Sequence, residues 1–148
     1  MTSRPTSVRL AAVLALLALG AGAARADDAA ALAAAAKEPG AVVSASGVVF
    51  RSLKDGNGAS PKATDTVKVN YRGTFPGGKE FDASRGNPIS FPLNKVIPCW
   101  TEGVQKLKVG GKAKLTCPSA VAYGPRGAGG VIPPDATLVF EVELLGIN

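Results

Sequence analysis

Few side chains in this sequence could carry out covalent chemistry. Cys99 stands beside the chain's single tryptophan in VIPCW, residues 96–100, and Cys117 is the second of two cysteines. A nucleophilic cysteine needs a neighbouring base, most often histidine, and the 148 residues contain none. The same absence removes serine–histidine–acid hydrolysis and every zinc site that needs imidazole, while two thiolates cannot close a four-cysteine cage. No metal is expected. Any reaction here rests on groups that bind, desolvate and hydrogen-bond.

The elements that would position such groups follow from the hydropathy pattern. The first 26 residues carry Arg4 and Arg9, an apolar run from Leu10 to Leu19, and small residues ending in Ala24-Arg25-Ala26. This is the pattern of a secretory signal peptide cleaved after Ala26, and its apolar core is shorter than the ~20 residues that span a bilayer. The expected product is a soluble, exported, periplasmic protein with no stable membrane insertion. Loss of Arg4, Arg9 and Arg25 would reduce 17 basic residues to 14 against 11 acidic ones. The lysines are scattered, with Lys106, Lys108, Lys112 and Lys114 the nearest to a cluster and few aromatics beside them. A solvated face is expected there, and no nucleic acid as partner.

Residues 27–46 are rich in alanine with Leu32 the single leucine to bury, which reads as a frayed helix or flexible arm and predicts a monomer. Residues 47–148 are long enough for one domain. In residues 65–75, DTVKVNYRGTF, the apolar Val67, Val69 and Tyr71 alternate with Lys68, Asn70 and Arg72, the period of a half-buried strand. VVFRSLK, KAKLTCP and TLVFEVELLGIN are further strands. Trp100, Val104 and Leu107 fall at helical spacing over residues 97–107, with Pro98 where a missing amide proton costs little. Five or six strands against one short helix predict an α+β domain with a strongly bent antiparallel sheet. No internal repeat is present.

The ordered blocks VNYRGTF, KEFDAS, ISFPL, VIPCWTEGV, GGKAKLTCP and AYGPRGAGGVIPPDATLVFEVELL resemble the FKBP-type peptidyl-prolyl cis-trans isomerases over roughly residues 47–147. The resemblance implies a sheet wrapped around a short helix, with an apolar pocket that accepts a proline ring. It places substrate-binding residues at Tyr71, Phe81, Phe91, Val96, Ile97 and Ile132, and catalytic ones at Asp82, Trp100, Tyr123 and Phe140. Two positions depart from patterns seen in some members: Ile89 replaces an aromatic residue and Ala128 a histidine. The implied activity needs no cofactor. The implied partners are proline-containing, unfolded or partly folded polypeptides, with a macrolide as inhibitor.

Each of these residues also has a purely structural interpretation. Trp100 can serve as a core anchor, Tyr123 as a loop brace and Asp82 as a turn cap. A second functional interpretation keeps the fold and drops turnover, leaving a chaperone module that holds proline segments. For the cysteines, the even count, the export signal and the packing of the helix on the strand after Gly110-Gly111 predict a Cys99–Cys117 disulfide. The alternative is a pair of buried reduced thiols.

Overall fold

The computed structural model describes residues 29–148. The leader and its cleavage position therefore lie outside the described residues. Residues 29–36 form helix α1, and seven strands follow: β1 (Ala41–Val43), β2 (Val49–Lys54), β3 (Thr66–Thr74), β4 (Glu80–Ala83), β5 (Ile89–Pro92), β6 (Lys112–Cys117) and β7 (Leu138–Ile147). Helix α2 (Pro98–Val104) lies between β5 and β6. All pairings are antiparallel in the order β1-β2-β6-β7-β3-β4, with β5 also on β3. The expected α+β architecture is present.

Strand β3 organises the sheet because its two edges do different work. One edge pairs with β7 from Val67 to Thr74, while the other takes β5 at Thr66–Val69 and then β4 at Arg72–Thr74. Register shifts at Lys68/Val69 against β7 and at Gly73/Thr74 against β4 insert extra residues on one side of the ladder. Such bulges bend a strand and raise its twist, and here the sheet curls around α2. The predicted alternation appears as fully buried Val67 and Val69 beside exposed Lys68. Leu93, Val104, Leu115, Leu138, Val142 and Leu144 belong to the same core.

Helix α2 can lie close to the sheet because residue 103 is glycine. A Cβ there would sit 2.7 Å from Leu115 Cδ2. The helix is shorter than the sequence periodicity predicts, ending at Val104. Beyond it, Lys106 and Leu107 donate their amides to the carbonyls of Gly103 and Val104, so a tighter turn still carries Leu107 into the core at 3% exposure. Cys99 and Cys117 are joined, with Cα atoms 5.8 Å apart, inside the usual range for a disulfide. The bond fastens the start of α2 to the end of β6. No free cysteine remains among the described residues.

The segment read from composition as a flexible arm is attached to the sheet. Residues 41–43 pair with Val49–Arg51 as an edge strand, Ala35 is buried, and Glu38 meets Lys114 Nζ at 3.1 Å and Arg51 at 3.7 Å. Counting apolar anchors overlooked this attachment, because main-chain hydrogen bonds and one carboxylate supply it. Among the described residues no helix is long and apolar enough to cross a membrane.

Candidate active site

Between the concave sheet and α2 lies a cavity of about 450 Å³, within the range of small-ligand sites. Trp100 projects from α2 and is 4% exposed. Three rings meet it nearly at right angles: Tyr71 from β3 at 5.2 Å, Phe140 from β7 at 5.4 Å and Phe91 from β5 at 5.5 Å between centroids. Edge-to-face pairs place the positive rim of one ring against the negative face of the next, at ~0.5 to 1.5 kcal/mol each beyond area burial. The indole Nε1 is buried without a hydrogen-bond partner among the described residues.

Phe81 and Asp82 are consecutive, yet both line the cavity. In a regular strand they would point to opposite faces. The bulge resolves this, since Thr74 pairs with Glu80 and Gly73 with Asp82, leaving Phe81 as the extra residue of β4. Gly73 is the small residue that this arrangement requires, because a Cβ there would lie 2.6 Å from Phe81 Cζ and 2.9 Å from Phe140 Cε1. Phe81 and Phe140 then meet edge to face at 5.6 Å. Nothing in the local sequence marks Gly73, whose signal lies in the spatial neighbours of β3.

Among the described residues Asp82 is the one carboxylate lining the cavity, and both its oxygens are engaged. Tyr71 Oη donates to Oδ2 at 2.7 Å, and the Ala83 amide donates to Oδ1 at 2.9 Å. Burial raises the Tyr71 pKa well above that of a free phenol, and the hydrogen bond and negative charge of Asp82 raise it further. Tyr71 is therefore a neutral donor committed to Asp82. Ser84 supports the pair from behind: its hydroxyl accepts the Tyr71 amide at 3.0 Å and lies 3.1 Å from Asn70 Oδ1, to which it donates.

Val96 and Ile97 enter from the turn that precedes α2, and the Ile97 carbonyl accepts the amides of Trp100 and Thr101. Tyr123 lines the opposite rim from a loop and is 40% exposed. Nine of the ten residues read from the sequence thus surround one cavity. Ile132 does not line it. Buried at 6%, it exchanges two backbone hydrogen bonds of 2.9 Å with Ala128 and closes the loop behind Tyr123. Lys95 lines the cavity and was not anticipated, because nothing in the local pattern separates it from other surface lysines.

The profile of the FKBP-type peptidyl-prolyl cis-trans isomerases matches residues 58–145. An FKBP-type peptidyl-prolyl cis-trans isomerase FkpA from Escherichia coli K12 is 54% identical over 115 residues, covering 76% of this chain and 42% of that protein. This chain accordingly spans less than half the length of that relative. The crystal structure of FkpA from Escherichia coli superposes with a TM-score of 0.82 at 43% identity, covering 99% of this chain and 70% of the other. A peptidyl-prolyl cis-trans isomerase from Pseudomonas syringae superposes at 0.80 with 39% identity over 85% and 94% of the two chains. Profile, sequence and architecture agree over the strands that build the cavity, and the chain belongs to the FKBP-type peptidyl-prolyl cis-trans isomerase family.

Proposed function

We propose that this protein catalyses cis–trans isomerisation of X-Pro peptide bonds and so accelerates the folding of exported polypeptides. The observation that carries this reading is the ring-lined cavity whose one carboxylate is already satisfied from within. Rotation about a peptide bond breaks no covalent bond, and its barrier of ~18 to 20 kcal/mol comes from amide resonance. Resonance separates charge between oxygen and nitrogen, so removing water from the amide disfavours the planar ground state relative to the twisted transition state. Preferential stabilisation of the twisted form is the requirement for catalysis.

In this reading the proline ring packs against Trp100 and Phe140, with Phe91, Val96 and Phe81 closing the sides. Tyr123 Oη donates to a substrate carbonyl. The Ile97 amide, which has no backbone acceptor among the described residues, donates to another. Asp82, held by Tyr71, faces the amide carbon as it loses its planar charge distribution. Tyr71 is a positioning residue, and Ile132 acts through the loop that holds Tyr123.

The favoured setting is the periplasm, with residues 1–26 as a cleaved leader, residues 47–148 as the isomerase domain and a monomer as the working unit. The substrates are proline-containing, unfolded or partly folded chains, and a macrolide that fills the same cavity competes with them. A fluorescent proline-peptide assay tests the activity. Catalysed exchange that a saturating macrolide abolishes is the expected result. Tight peptide binding without acceleration would instead identify a proline-holding chaperone module.

A further inference from the structure

We infer that Lys95 gives the cavity a preference for X-Pro segments with an acidic side chain next to the isomerising bond. The inference rests on the proposed isomerase function and specifies its substrate class. Lys95 ends a single 3-10 turn, Leu93–Lys95, between β5 and α2, and Val96 and Ile97 follow it directly into the cavity wall. Its backbone is well anchored: Leu93 is fully buried, its amide donates to the Asp65 carbonyl at 3.0 Å, and its carbonyl accepts Thr101 Oγ1 at 2.6 Å. The ammonium therefore swings from a fixed point on the rim.

The charges around it leave that ammonium available to a substrate. Among the described residues Lys95 forms no ion pair. Asp82, the other charged group lining the cavity, takes its hydrogen bonds from the neutral donors Tyr71 and the Ala83 amide and forms no ion pair with Lys95. The cations near β4 are also committed, since Arg72 and Arg85 both pair with Glu80, at 3.0 and 2.8 Å. The remaining wall is largely aromatic and aliphatic, and low-polarity walls strengthen the field of a rim charge. A carboxylate flanking the bound proline gains this attraction, whereas a flanking ammonium is repelled. The amide twists while the flanking side chain keeps its charge, so planar and twisted states share the gain. The effect therefore belongs in KM and leaves kcat little changed.

The test uses the purified chain and acetylated, amidated tetrapeptides with Glu, Gln or Lys immediately before or after proline. At low ionic strength kcat/KM should be about two- to fivefold higher for Glu than for Gln at one of the two positions, the scale of an exposed ion pair. The difference should reside in KM and collapse in ~1 M salt, where the screening length is ~3 Å. Lys95→Gln should abolish the Glu preference and Lys95→Glu should reverse it towards the Lys peptides. If the charge reversal fails to fold, Lys95→Gln alone decides. Equal Glu/Gln ratios in wild type and Lys95→Gln at both positions, or a ratio indifferent to salt, would overturn the inference. Wild-type turnover of the Gln peptide separates the two readings: activity without charge preference defeats only this inference, and inactivity towards every peptide defeats both.

Discussion

The two walls of the cavity are made by different means. On the sheet side, Tyr71, Phe81, Phe91 and Phe140 come from four strands whose ladder registers fix their backbones, and rings stack against rings around Trp100. On the other side, Tyr123 stands in a loop in which Gly124, Gly127, Gly130 and Asp135 all have positive φ. Two short bridges hold that loop, Asp135 N–H to the Gly124 carbonyl at 2.9 Å and the paired bonds between Ala128 and Ile132. Gly127 cannot be replaced without displacing backbone, since a Cβ would fall 2.1 Å from the Ile132 carbonyl oxygen. The contrast teaches that the wall shaping the apolar pocket is part of the hydrophobic core, whereas the wall bearing the exposed hydroxyl is held by local turn geometry. Substitutions on the first should cost stability and activity together, whereas trimming an exposed side chain on the second, Tyr123 above all, should cost activity alone.

The largest effect should follow Trp100→Ala, which removes the centre of the ring cluster and leaves a cavity in the core. A loss of ~3 to 5 kcal/mol is expected from denaturant unfolding, together with loss of peptide turnover. A near-normal unfolding midpoint would show that the ring wall is not part of the core.

Next is the disulfide, which fastens α2 to β6 and neither of whose cysteines lines the cavity. With a sequence separation of 18 residues, the chain-entropy estimate is ~3 kcal/mol. A Cys99→Ser, Cys117→Ser variant should melt earlier and keep near-normal turnover at low temperature. Loss of turnover in a folded sample would mean that the bond also sets the cavity geometry.

Tyr123→Phe isolates the loop wall. It should leave the melting temperature nearly unchanged and reduce kcat/KM by up to about tenfold, the worth of one net hydrogen bond. A destabilised variant with normal kinetics would reverse the assignment and make Tyr123 a loop brace.

The smallest effect is spectroscopic. Burial first, and then Asp82, hold the Tyr71 phenol protonated beyond its ordinary range. Below the unfolded phenol pKa of ~10 both states keep the proton, and above it the unfolded chain releases it first. The stability tied to this group is therefore complete below pH ~10 and falls as pH rises towards the folded-state pKa. In Asp82→Asn the tyrosinate absorbance edge of Tyr71 should move to lower pH yet stay above that of an exposed tyrosine, because burial persists. No movement would show that the hydrogen bond does not constrain the phenol.

The chain's own order of residues determined a great deal. Alternation in β3 and β7 settles which side chains face the core, because a strand has period two and Val67, Val69 and Val142 have no other place to be buried. The absence of histidine excludes whole classes of chemistry before any fold is considered, and the family resemblance carried by the ordered blocks points to ten residues, nine of which share a cavity. Four features were decided only by tertiary structure. Phe81 and Asp82 face the same space because of a bulge between β3 and β4, and Gly73 matters through two rings that arrive from other strands. Ile132 is apolar like the pocket residues, but it is buried in the core and paired through its backbone with Ala128, and it is not among the residues that line the cavity. Residues 41–43 have little to bury and are held by the free edge of β2. Local pattern records which groups avoid water. Register, bulges and edge pairing depend on partners distant in the chain, and those partners decide which of the buried groups meet.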